Sequence, residues 1–161
     1  MSGFAIRRFA ADDADTVAAM VEALAAELRA MGDKAANRFD AAAFRRHGTG
    51  PAPAFLGFIA ESGGAPVGYL IASWVFEVEL GEPMLYVSDL YVVPARRGGG
   101  LGRALLAAAG RLALEAGHAH LAWAVLKQNA AAFAFYRRLG ARLVDDVDHM
   151  TMRADAAAAL G

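Results

Sequence analysis

The chain has 161 residues, a formal net charge of −1, no cysteine, and a hydrophobic fraction of 57%. That length suits one compact domain burying about 70% of its unfolded surface, and the apolar fraction excludes a disordered chain. The missing cysteine removes any disulfide scaffold, thiolate zinc site or cysteine nucleophile, and the near-neutral charge leaves no footprint for general nucleic-acid binding.

Phe4, Ile6 and Phe9 open a short strand with Arg7 and Arg8 among them. Met1 to Phe9 therefore does not read as a signal peptide, and no apolar run approaches the ~20 residues of a membrane span. A cytoplasmic protein with no membrane partner is expected. Asp12 or Asp13 suits an N-cap for an amphipathic helix to about Ala30, with Met20, Leu24 and Leu28 on its buried stripe. Asp33–Arg38 reads as a loop, and Asp40 caps a second helix, Ala41 to Arg46. Phe55–Glu61 and Pro66–Phe76 are strands joined by a hairpin at Ser62-Gly63-Gly64. Glu77, Glu79 and Glu82 surround a turn at Gly81, and the strand Leu85–Val93 follows. Gly98–Gly102 leads into a helix from Arg103 to about Ala116. Leu121–Leu126 is a buried strand, and Ala130 to Leu139 a helix stopped by Gly140. Leu143-Val144 and His149–Arg153 read as the last strands, with Ala154–Gly161 a frayed or helical tail. Trp74 and Trp123 are expected in the core, and His118 and His120 on the surface. The order predicts one domain, residues 1–153, built on a mixed sheet with helices on both faces and a parallel pair late in the chain.

The segment after the Leu85 strand carries the most chemistry. Two arginines, Arg96 and Arg97, precede four glycines (98, 99, 100 and 102), with Leu101 between them, and a helix begins at Arg103. Glycine lets backbone N–H groups converge, and a helix N-terminus behind them is partially positive, which suits phosphate or pyrophosphate. A P-loop needs Gly-Lys-Ser/Thr, which is absent. A dinucleotide fingerprint needs glycines at i, i+2 and i+5, where Arg103 or Leu105 stands instead. A plain glycine-rich turn is the remaining alternative.

Arg97-Gly98-Gly99-Gly100-Leu101-Gly102 resembles the Gln/Arg-x-x-Gly-x-Gly/Ala signature of the GNAT superfamily of N-acetyltransferases. Trp123 to Asn129, Ala130 to Ala132, and Phe135-Tyr136-Arg137-Arg138-Leu139-Gly140 are similar to that family's strand-Asn-helix-Phe-Tyr-x-x-Leu-Gly pattern. Phe4-Ala5-Ile6-Arg7 and Leu85-Tyr86-Val87-Ser88-Asp89-Leu90 resemble the spermidine/spermine and thialysine N-acetyltransferase branch. That branch usually has Glu-Asp where Ser88-Asp89 stands. The resemblance implies a mixed α/β (α+β) GNAT fold, its central sheet mixed and mostly antiparallel with about six or seven strands.

The implied reaction is amine attack on the thioester of acetyl-CoA, and no metal. An alkylamine of pKa near 10.4 is neutral in only about one molecule per thousand at pH 7, so a proton acceptor is needed. Asp89 is the candidate base, directly or through a water positioned by Ser88. Its alternative is an ordinary ion pair or turn cap. By resemblance, a main-chain N–H of the strand supplies the oxyanion donor and the strand edge at Leu90, Tyr91 and Val92 pairs with pantetheine. Gly98, Gly99, Gly100, Leu101, Gly102, Arg97 and Arg103 hold the diphosphate, with Asn129 and Ala132 also on the coenzyme. Tyr136, protonated at neutral pH, contacts the coenzyme and gives a proton to the leaving thiolate. Otherwise it is a core tyrosine among Phe133, Phe135 and Leu139. Glu77 and His149 line the acceptor pocket by the same resemblance, which also implies a homodimer; solvated hairpin charges are the alternative for Glu77. A protein N-acetyltransferase and a catalytically idle acetyl-CoA sensor stay open beside the small-molecule amine transferase.

Overall fold

A computed structural model describes residues 3–160 of the chain. The leader reading at Met1 and the last tail residue, Gly161, lie outside the described residues. Two compact units are present, Met1–Asn129 and Ala130–Gly161.

The first unit runs β1 (Phe4–Arg8), a 3-10 turn (Ala11–Asp13), α1 (Ala14–Ala30), α2 (Ala41–His47), β2 (Leu56–Ser62), β3 (Ala65–Glu77), β4 (Glu82–Val92), a second 3-10 turn (Pro94–Arg96), α3 (Leu101–Glu115) and β5 (Leu121–Ala122). The sheet order is β1-β2-β3-β4-β5. The first four strands pair antiparallel, and β5 joins β4 in parallel after the α3 crossover. Each sheet face carries its own apolar core, because the strands are too hydrophobic to leave either face in water. Leu70, Leu85 and Val87 pack under Leu101, Leu105 and Ala109 of α3. On the other face, Ile59, Tyr69, Ile71 and Tyr91 pack with Val17, Met20 and Val21 of α1 and Phe44 of α2. Leu24 and Leu28, expected on the buried stripe of α1, are only half-buried.

Asp40 caps α2 as expected, accepting from the Ala43 N–H at 2.7 Å. Asp13 does not cap α1 through its side chain. Both of its oxygens bind the Arg7 guanidinium at 2.8 Å, and Oδ2 accepts the Ala10 N–H at 2.7 Å. This pairing is what lets a carboxylate sit buried there, and it holds the Asp13 pKa below the ordinary carboxylate value.

Three strand expectations need correction. The sheet has five strands rather than six or seven. β5 stops at Ala122, so Trp123–Leu126 does not continue it. The bulge in β4 described below bends that strand just past the point where β5 pairs with it, and such bends end a ladder. Leu143-Val144 and His149–Arg153 form no strand among the described residues. Asp145, Asp146 and Asp148 interrupt the run, and aspartate is a poor strand former. Trp74 also departs from the core, at 40% exposure, because β3 beyond Ala72 outruns β2 and pairs with β4 alone among the described strands.

The second unit contains α4 (Ala130–Arg138) and α5 (Ala154–Ala158). Phe133, Phe135 and Tyr136 are half-buried on α4, while Leu139 after it is exposed. The tail is helical at α5, where Arg153 pairs with Asp155 at 2.9 Å.

Candidate active site

The site is organised by one extra residue. In the β3–β4 ladder, Ala72 lies opposite Val87 and Ile71 opposite Asp89, which leaves Ser88 without a partner residue. A bulge of this kind inverts the in-out alternation of side chains downstream. Before it, Leu85 and Val87 face α3; after it, Tyr91 faces α1 and α2 while Leu90 and Val92 pack toward α3. Asp89 thereby shares the face of Tyr91. It lies half-buried and within reach of Tyr69 of β3, and Ser88 is exposed at the bend.

The Tyr69 hydroxyl donates to Asp89 Oδ2 at 3.2 Å. No cation pairs with this carboxylate among the described residues. Burial therefore dominates and raises the Asp89 pKa from 3.8 to about 6, with the Tyr69 hydrogen bond acting in the opposite sense. A carboxylate poised near neutrality suits proton abstraction better than one at its ordinary value.

Beyond the bulge, β4 is open on one side. β5 pairs only with Leu85 and Tyr86, so Val87 to Val92 has β3 on one edge and no strand on the other among the described residues. The glycine loop lies at the end of this edge. Gly98 and Gly100 have φ of 81° and 84°, a left-handed backbone that glycine adopts without the steric cost of other residues. Gly100 is the N-cap of α3, so the first N–H groups of that helix follow directly. A Cβ built on Gly98 or Gly100 meets nothing within 4 Å, and one on Gly99 meets only the Arg96 carbonyl oxygen at 3.7 Å. The space over this loop is open, and main-chain donors with an open approach fit a diphosphate.

Two of the cations at the loop, Arg97 and Arg103, differ. Arg97 is committed within the chain: Nη2 binds both Glu27 oxygens at 2.8 Å, and Nε donates to the Val92 carbonyl at 2.8 Å. Its guanidinium also lies over the Tyr91 ring, 5.5 Å from the centroid. Arg103 is exposed in the first turn of α3 and has no ion pair among the described residues. Leu101, the first residue of α3, buries its side chain against the sheet, leaving its main chain as the group available to a ligand.

Asn129 is half-buried at the end of the first unit, its N–H bound to the Leu126 carbonyl at 2.8 Å. In the second unit, Ala132 and Tyr136 lie four residues apart on one face of α4, and the Tyr136 ring packs 5.0 Å from Phe135. Glu77 ends β3, half-buried, opposite Glu82. His149 is exposed in an irregular segment. Among the described residues, no three His, Cys, Asp or Glu side chains gather as metal ligands.

Sequence reasoning passed over two features. Tyr69 carried a weak signal, since a tyrosine inside the apolar run Val67–Ala72 needs a partner for its hydroxyl. His118 and His120, expected as plain surface residues, both approach Glu82, His120 Nδ1 at 3.1 Å and His118 Nδ1 at 3.7 Å. The parallel register of β4 and β5 brings them together, and no local pattern announces that register.

Residues 17–141 match the model of a family described as "Acetyltransferase (GNAT) family". A thialysine N-epsilon-acetyltransferase of Sus scrofa is 29% identical over 150 residues, spanning 88% of this chain and 86% of that protein. The protein of that name in Caenorhabditis elegans is 35% identical over 103 residues, 63% of this chain and 64% of its own. Among solved structures, an aminoglycoside N-acetyltransferase in complex with CoA superposes with a TM-score of 0.77 at 19% identity, over 96% of this chain and 97% of that one. An integron cassette protein from the mobile metagenome of V. cholerae gives a TM-score of 0.75 at 24% identity, over 99% and 98%.

Proposed function

The chain belongs to the acetyltransferase (GNAT) family and is an acetyl-CoA-dependent N-acetyltransferase, and from that premise we propose that its acceptor is a primary amine on a small molecule, such as a polyamine, a diamine or an amino-acid-like compound. The observation that carries the proposal is the carboxyl of Asp89. It is half-buried, paired with no cation among the described residues, held near neutrality, and set on the open edge of β4. The thialysine enzymes among the relatives, and the acidic Glu77, Glu79 and Glu82 around the hairpin, support a cationic acceptor.

In this reading Asp89 takes a proton from the ammonium form of the acceptor, directly or through a water beside Ser88. The freed nitrogen attacks the thioester carbonyl carbon; the new C–N bond forms, the nitrogen releases its second proton to water, and the C–S bond breaks. Tyr136 gives its phenolic proton to the departing sulfur and regains one from solvent. The main chain at Leu90 receives the developing oxyanion, and Tyr91 and Val92 run along the pantetheine arm. The N–H groups of residues 98–103 hold the diphosphate, with Arg103, which has no ion pair among the described residues, adding a cation and Arg97 bracing the loop through Glu27. Asn129 and Ala132 border the coenzyme, and Glu77 and His149 face the acceptor.

We read residues 1–153 as one catalytic domain, a reading supported by a family match that crosses the boundary at Asn129. A homodimer and a cytoplasmic location belong to the same proposal. No helix among the described residues is long and apolar enough to cross a membrane. One observation favours a second reading, an acetyl-CoA sensor: Ser88 stands where the resembling branch carries glutamate. A free-thiol assay with acetyl-CoA separates the readings. Release with diamines or amino acids supports the proposal. Release only with peptide acceptors overturns the acceptor size, and binding of acetyl-CoA without release on any amine favours the sensor.

A further inference from the structure

Tyr69 is fully buried in the middle of β3, where it lies directly opposite Tyr91 in the ladder. Burial of a phenol is tolerated only when its hydroxyl finds a partner, and here that partner is Asp89 Oδ2 at 3.2 Å. The contact exists because the bulge at Ser88 puts Asp89 on the Tyr69 face. Without the extra residue, the carboxyl would point to the α3 side. One oxygen of the carboxyl is thereby held from beneath, leaving Oδ1 without a hydrogen-bond partner among the described residues.

We infer that Tyr69 is a positioning residue for the catalytic base, fixing the Asp89 carboxyl by Oδ2 so that Oδ1 receives the acceptor's proton. The inference rests on the reading of Asp89 as base. The surroundings leave this hydroxyl as the dominant polar influence. The side chains of α1 and α2 packed on this face, Val17, Met20, Val21, Leu24 and Phe44, are apolar. Tyr91, two residues along β4, is held in its neutral form by burial, and the charged pair behind it is Glu27 with Arg97. Burial also drives the Tyr69 pKa far above its ordinary value, so the phenol keeps its proton and always donates. A donated bond stabilises the carboxylate over the acid, and removing it moves the Asp89 pKa upward from about 6.

The test is the pH dependence of kcat/KM in Tyr69→Phe, which keeps the ring and deletes the hydroxyl. Wild type should lose rate below about pH 6. The variant's acid limb should lie higher by about one pH unit, the loss of one charge-assisted bond, with CoA affinity unchanged. Site-specific 3-fluorotyrosine at 69, a stronger donor with the same shape, should move the limb downward, and it carries the test if Tyr69→Phe does not fold. A folded Tyr69→Phe or fluorotyrosine enzyme whose limb stays with wild type overturns the inference while leaving Asp89 as base. If Asp89→Asn itself keeps the wild-type limb, the base reading fails, and this inference with it.

Discussion

Neighbouring glycines in the loop before α3 make opposite demands, which separates folding from ligand binding. Gly100 has φ of 84°, so Gly100→Ala forces a side chain into the left-handed region. That strain costs about 1–2 kcal/mol. For a domain of this size it lowers Tm by roughly 3–6 °C. Gly99 does not have positive φ, and its added methyl would meet only the Arg96 carbonyl oxygen at an ordinary 3.7 Å. Gly99→Ala should therefore be neutral or stabilising by up to about 1 kcal/mol, through the unfolded chain. Both substitutions place a methyl on the open lip of the loop, where the diphosphate is proposed to lie. Loss of one charge-assisted hydrogen bond there corresponds to about 1.5–3 kcal/mol, or a ten- to hundredfold weaker Kd for CoA. Differential scanning fluorimetry and calorimetric titration with CoA measure the two effects separately. Gly99→Ala should melt no lower than wild type yet bind CoA at least tenfold more weakly. Wild-type affinity in a well-folded Gly99→Ala would refute the idea that this loop grips the coenzyme.

Other consequences can be checked independently. Asp89 has a folded pKa of about 6 against an ordinary 3.8, so the native state favours its protonated form. That contribution is full below about pH 4 and is lost as pH rises through 6. Asp89→Asn should therefore be more stable than wild type at pH 8 by on the order of 3 kcal/mol, with the advantage gone below pH 4, as read by urea denaturation at both pH values. Tyr136→Phe should lower kcat by about ten- to a hundredfold or more while leaving CoA affinity intact; unchanged turnover across the pH range would remove it as proton donor. Phe44 is fully buried among Phe9, Phe39 and Phe55, with ring centroids 5.2, 6.5 and 5.7 Å away. Phe44→Ala should cost about 3–5 kcal/mol in chemical denaturation.

What the sequence disclosed follows from how locally each feature is determined. The hairpin at Gly63-Gly64, the cap at Asp40 and the glycine loop before α3 are set by a few adjacent residues and were legible, although α3 starts at Leu101, two residues before the expected Arg103. The bulge at Ser88 was not, because it is a mismatch between two strands and appears only once β3 and β4 are laid in register. Asp89 could be named as a base candidate from its neighbours. Its pKa near neutrality could not, since that depends on burial in the folded chain, offset in part by Tyr69 twenty residues away. The same holds for Arg97, whose commitment to Glu27 spans seventy residues of chain. The last strands failed for the opposite reason. A local apolar pattern at Leu143-Val144 suggested pairing, yet a strand needs a partner, and none is present among the described residues of that unit.

Calorimetric comparison of CoA with pantetheine tests the central claim most directly, because the two differ by the diphosphate-bearing nucleotide. Main-chain amides of residues 98–103 closing on that diphosphate predict exothermic, saturable binding of CoA and a loss of at least a hundredfold in affinity for pantetheine. Equal affinity for the two, or no binding of CoA by folded protein, would contradict it.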